Sequence, residues 1–123
     1  MPNGARFIEY KGREIYFIDY THLKSTEEFL KVIKGTDTFR EKVKAEGKRN
    51  MLVLVDITGS YVYGETLDAL KRAAKFSREL TSKEAVVGAT GPKKVLLRIV
   101  QLFTGMQLRP FDTLEEAQEW LVR

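Results

Sequence analysis

The residues with the greatest chemical potential cluster directly after the apolar run Met51-Leu-Val-Leu-Val, where Asp56, Thr58 and Ser60 stand at alternate positions. A carboxylate beside two hydroxyls could hold or accept a phosphoryl group. Asp19 and Thr90 follow two other apolar stretches. Together with Asp56 they would suit a magnesium site built around a phosphoryl-accepting aspartate, but the acidic pair and the lysine that such a site also needs are missing. His22 is the single histidine and has no triad partners at a telling spacing, so it reads as a surface or turn residue. Gly88-Ala-Thr-Gly-Pro-Lys-Lys combines a glycine turn with a helix start and two cations, so Thr90, Lys93 and Lys94 form a candidate anion site. It is not a P-loop, because the glycine-lysine spacing differs and Pro92 lacks an amide. No complete catalytic or metal-binding constellation emerges, and no catalytic residue, cofactor or metal is assigned.

The elements that must position these residues follow from periodicity. Met51 to Val55 is continuously apolar, which fits a strand covered on both faces in a mostly parallel sheet. Ligands and partners of such sheets gather at the carboxyl ends of the strands, where Asp56 to Ser60 emerge. Arg6 to Tyr10 and Glu14 to Tyr20 flank the turn pair Lys11-Gly12 and read as a hairpin. In its second strand Ile15 and Phe17 oppose Tyr16, Ile18 and Tyr20, so that strand is expected inside the sheet.

Ser25-Thr-Glu-Glu28 and Thr113-Leu-Glu-Glu116 are capping boxes that open helices. Gly35-Thr-Asp37 predicts a break in the first of them. A further helix follows Gly64, with Leu67, Leu70, Ala73, Ala74 and Leu80 at helical spacing, and Glu84 to Ala89 is a short strand. Pro92 and Gly105 bracket another helix, Gln107 to Phe111 is a last strand near an edge because of Pro110, and the closing helix is expected to bury Leu114, Ala117 and Leu121. The order is ββαβαβαβα in a single domain spanning residues 1–123.

Composition narrows the function classes. The chain has 123 residues and no cysteine, which excludes disulfides, thiolate zinc and a cysteine nucleophile. Its net charge of +4 arises from 21 basic and 17 acidic residues interspersed along the chain. Nucleic acid is therefore not the expected partner. No segment has the length and apolarity of a signal peptide or a membrane span, so a cytoplasmic location is the expectation.

Leu-Val-Leu-Val-Asp-Ile-Thr-Gly, Ala85-Val-Val-Gly-Ala-Thr-Gly, the helix from Lys93 to Gly105 and the ending Phe111-Asp-Thr-Leu-Glu-Glu-Ala-Gln-Glu-Trp-Leu resemble the STAS-type domains of SpoIIAA anti-sigma-factor antagonists. The resemblance is closer still to SpoIIAA-like bacterial and archaeal proteins of STAS/SEC14 type. It implies an α/β SpoIIAA-like β-α superhelix, a five-stranded mixed sheet with an N-terminal hairpin and strands in sequential order. It also implies a non-enzymatic regulatory role in binding a protein partner. In the antagonists a serine at the next helix start is phosphorylated to release that partner. Here an ungapped reading sets Glu65 in its place, with Thr66 beside it as a substitute acceptor. The contact surface implied is Asp56, Thr58, Ser60, Tyr61, Tyr63, Glu65 and Thr66.

The helix from Lys93 carries a wider apolar surface than one sheet-facing stripe requires. Beyond internal burial, its candidate covers are a protein partner, a second copy forming a homodimer, or a lipid surface. The alternative function, implied by resemblance to CRAL-TRIO carriers, is transport of a small apolar or lipid-like ligand in a pocket lined by Val95, Ile99, Val100 and Phe103.

Overall fold

A computed structural model describes residues 3–62, 64–105 and 108–123, without the side chains of Ser77, Phe103 and Thr104. β1 (Gly4–Tyr10) and β2 (Arg13–Asp19) form the expected hairpin, turning at Lys11 and Gly12, whose φ angles are 50° and 78°. There follow α1 (Thr26–Ala45), β3 (Met51–Asp56), α2 (Gly64–Ser77), a 3-10 turn, β4 (Thr81–Val87), α3 (Lys93–Thr104), β5 (Leu108–Phe111) and α4 (Leu114–Val122). The sheet runs β1-β2-β3-β4-β5, with β1 antiparallel and the other neighbours parallel.

All six residues of β3 are buried, as a strand covered on both faces requires. Alternation in β2 splits its side chains between two cores. Tyr16 and Ile18, with Tyr20 just past the strand, join Phe29, Ile33 and Val43 of α1 and Ala69 and Ala73 of α2. Ile15 and Phe17 join Ala117 and Leu121 of α4 on the opposite face.

Both helix starts are capped, with Ser25 and Thr113 accepting from the amides of Glu28 and Glu116 at 3.1 and 3.2 Å; the glutamate carboxylates accept from the cap hydroxyls, at 3.2 and 3.0 Å, where a full capping box would have them accept from the cap amides. Gly105 closes α3 in the left-handed conformation. Pro110 lies on the edge strand, where a missing donor costs least.

The structure corrects several details. α1 runs unbroken through Gly35-Thr36-Asp37. Thr36 is fully buried there, and its hydroxyl donates to the Ile33 carbonyl at 2.7 Å, so it stays within the helix rather than breaking it. β4 starts three residues earlier than its apolar stretch, as Thr81 and Lys83 pair with Met51 and Leu52 through the ladder whatever their polarity. Leu114 is 40% exposed, being the first residue of its helix and still outside the packed stripe.

Candidate functional site

The carboxyl ends of β2 and β3 are built alike. Asp19 and Asp56 are register partners. Each carboxylate accepts from the amide and the hydroxyl of the threonine two residues on: 2.9 and 2.7 Å for Thr21, 3.0 and 2.6 Å for Thr58. These are Asx turns, and each is followed by a left-handed residue, His22 at φ 57° and Gly59 at φ 73°.

The sheet ladder continues past the strands through Tyr20 N–H to Asp56 O, His22 N–H to Thr58 O and Ile57 N–H to Val87 O, each 2.9 Å. Gly88 lies so close that a β-carbon there would stand 2.6 Å from the Thr58 nitrogen. The His22 ring packs over Gly59 in the same manner. The three loops are thereby fixed against one another.

This arrangement sorts the residues nominated from sequence. Asp56 is buried and committed to its own turn. The Ser60 hydroxyl accepts from Leu23 N–H at 2.7 Å and donates to the Tyr20 carbonyl, pinning the two loops together. Thr66 is fully buried at the start of α2, and its hydroxyl has no hydrogen-bond partner among the described residues. Thr58, Tyr61 and Glu65 are exposed, Tyr61 to 56%. Tyr63 lies outside the described residues.

Two lysines converge on the same loop. Lys24 donates to the Gly59 carbonyl at 2.6 Å, with its ammonium 5.7 Å from the Tyr61 ring centre. Lys93 donates to the Ile57 carbonyl at 3.2 Å. Burial pushes the Lys93 pKa down, the charge of Lys24 adds to this, and Asp56 opposes both. Thr90 and Lys94 are exposed nearby. The amides of Thr90, Lys93, Lys94 and Val95 are engaged by the carbonyls of Gly88, Thr90, Gly91 and Pro92. Side-chain ammonium groups, rather than a cradle of free amides, therefore make this corner cationic.

α3 presents two apolar faces. Leu96, Leu97 and Val100 turn inward to a cleft of about 80 Å³ between the sheet, α2 and α3. Val95, Ile99 and Leu102 form an outward stripe at 63%, 37% and 80% exposure. Of the pocket expected from sequence, Val100 lines the cleft. Val95 and Ile99 face solvent, and the Phe103 side chain lies outside the described residues. With apolar residues at most positions of α3, sequence alone leaves the phase of the helix open.

The sequence reading also missed the polar groups lining the cleft, Arg40 and Glu84, which are 2% and 7% exposed. Arg40 pairs with Asp37 at 2.5 Å, while its Nε is buried without a partner among the described residues. Burial pushes the Glu84 carboxyl up to about 7, opposed by the charge of Arg40. Tyr20 donates to Thr36 at 3.0 Å, since the Thr36 proton is already given to Ile33. A signal for Arg40 did exist: Phe29, Ile33, Thr36, Arg40 and Val43 keep the four-three spacing of a buried helical stripe.

Among the described residues no group of three or more His, Cys, Asp or Glu side chains could hold a metal, and no helix is long and apolar enough to cross a membrane. A family model described as SpoIIAA-like matches residues 15–122. Among solved structures, an uncharacterized protein of the DUF3478 family with a SpoIIAA-like fold, from Shewanella loihica PV-4, superposes with a TM-score of 0.71. The two are 14% identical, and the match covers 98% of this chain and 96% of that one. No curated protein matches the sequence.

Proposed function

The chain belongs to the SpoIIAA-like family, and on that premise we propose that it is a non-enzymatic regulatory domain that binds a protein partner. The contact surface is the outer face of α3 together with the exposed residues Thr58, Tyr61 and Glu65 around the end of β3. The observation that carries this reading is the outward stripe of Val95, Ile99 and Leu102. A helix already packed on its sheet through Leu97 and Val100 gains nothing for folding from a second apolar face. Contiguous exposed apolar surface of this kind is what partner-binding sites present.

The end of the sheet supports a binding rather than a chemical role. Asp56 holds a turn and Ser60 ties two loops, so both serve the scaffold, and Thr66 is enclosed out of reach of a reactant. Glu65, exposed in the first turn of α2, supplies a fixed negative charge at the helix terminus, where the related antagonists use a phosphoserine. Contact with the partner is accordingly constitutive rather than gated by a serine kinase.

The test is photo-crosslinking from a benzophenone amino acid placed at Leu102 or at Tyr61 in cells of the source organism. A discrete adduct of the same mass from both positions, absent from a probe at Glu115 on α4, is expected. Adducts of equal yield from all three positions, or from Glu115 alone, would place the contact elsewhere.

A further inference from the structure

The outer face of α3 carries charge of one sign beside its apolar stripe. Lys93, Lys94 and Arg98 are the ionisable residues of α3, which has no aspartate or glutamate, whereas α1, α2 and α4 all contain acidic residues. Glutamates open α1 and α4, at Glu27 and Glu28 and at Glu115 and Glu116, but α3 opens with two lysines at the positive end of its dipole. On α1 and α2 an acid three residues earlier pairs Arg40 and Lys71. The same places before Lys94 and Arg98 hold Gly91 and Val95, and both cations are exposed with no ion pair among the described residues. Val95, Ile99 and Leu102 span about 10 Å of helix, two turns, and Arg98 and Lys94 run along one flank of that stripe at a four-residue spacing.

We propose, resting on the partner-binding reading above, that the segment of the partner seated on this face is an acidic amphipathic helix. Its apolar stripe lies on Val95, Ile99 and Leu102, and its aspartates or glutamates stand on the flank that meets Lys94 and Arg98. The charge of the partner follows from the two cations that α3 leaves unmatched. Its helical form follows from what α3 offers. The backbone of α3 is bonded within the helix, so an extended segment would find no ladder to join, whereas a second helix satisfies its own backbone and packs by side chains alone.

The same features disfavour other occupants. A second copy docked α3 against α3 would set Lys94 and Arg98 against cations of their own kind. The acidic helix of this chain, α4, exposes Leu114 alone among the large apolar side chains described on it, and so has no stripe to match. Helices that lie on anionic lipid carry cations along a broad polar face and aromatic anchors on the other. Here the domain itself takes the opposite side of α3, the exposed stripe is aliphatic and Lys94 and Arg98 follow one flank.

The experiment reads the adduct formed in clarified lysate from benzophenone at Leu102, in the otherwise unchanged chain, in Lys94→Glu/Arg98→Glu, and in Lys31→Glu/Lys34→Glu, an equal charge change at exposed residues of α1. Reversal on α3 should cut the adduct yield at least about tenfold, and reversal on α1 should leave it unchanged. Raising the salt from about 0.1 to about 0.5 M should weaken the adduct of the unchanged chain, and peptide mapping should place it on a segment with acidic residues four apart beside an apolar stripe. An adduct that survives the α3 reversal, that falls equally with the α1 reversal, that ignores salt, or that maps to a basic or uncharged segment overturns this inference and leaves the partner reading standing. No adduct at Leu102 overturns both. An adduct of twice the mass of the chain would make the occupant a second copy, and flotation of the wild type with phosphatidylglycerol vesicles, lost in Lys94→Glu/Arg98→Glu, would make it a membrane; either overturns the proposal. The salt dependence and the mapping use no charge variant, so they stand even if one fails to fold.

Discussion

Ser60 and Thr66 show how differently two hydroxyls can be used within one loop and helix start. Ser60 satisfies the Leu23 amide and the Tyr20 carbonyl in the interior. Ser60→Ala leaves both unpaired and should destabilise the fold by about 1–3 kcal/mol in denaturant titration. Thr66 satisfies nothing among the described residues, so the near-isosteric Thr66→Val should leave stability unchanged or raise it by about 1 kcal/mol. Sequence placed both correctly at the end of the sheet but could not tell their tasks apart, because these depend on Leu23 and Tyr20, about forty residues away in the chain.

Glu84 gives a signed pH prediction. Its carboxyl ordinarily titrates at 4.5, and in the fold at about 7, so between those values the folded state holds more protons than the unfolded one. Stability should therefore fall as pH rises through that window, by up to about 3 kcal/mol, and level off above it. Thermal melts across the window should show this slope in the wild type and lose it in Glu84→Gln.

At the scale of elements, the parts encoded locally were legible and those set by packing were not. The N-caps at Ser25 and Thr113, the Lys11-Gly12 turn and the Gly105 terminus form as their residues dictate. Gly35-Thr36-Asp37 read as a break because helix propensity is weak there, yet tertiary burial of Thr36 against Tyr20 carries α1 through. The rotation of α3 was illegible for the opposite reason: too many apolar residues to mark one face.

The junction of strand ends makes its own prediction. Gly88 has φ 88°, and a β-carbon there meets the Thr58 backbone as well as its side chain. Gly88→Ala should cost more than about 2 kcal/mol, since neither backbone can give way without disturbing the Asp56 turn. Gly35→Ala, with open space around its β-carbon, should be stabilising by about 0.5–1 kcal/mol in the same thermal melts.

For the molecule as a whole, the ββαβαβαβα element order was readable from periodicity, caps and turns along the chain, while the sequential strand order came from the family resemblance, and family and fold agree with both. Of the candidate site, the sequence showed the place of its loop in the fold and not a mechanism. The loop after β3 lies at the end of the sheet where its residues put it, whereas Arg40 and Glu84 were passed over because charged residues in amphipathic elements ordinarily face water. The result is a domain whose third helix has an inner face on a polar-floored cleft and an outer face left apolar.

The proposed partner contact rests on the outer face of α3, through Val95, Ile99 and Leu102. The most direct measurement is isothermal titration of the crosslinked partner, once purified, against the wild type and the double variant Val95→Glu/Leu102→Glu. Both substituted side chains are exposed, so melting temperature should hold, while affinity should fall at least about a hundredfold, as expected when apolar anchors at the centre of an interface are replaced by charge. A double variant that keeps its fold and binds the partner with wild-type affinity would contradict the account.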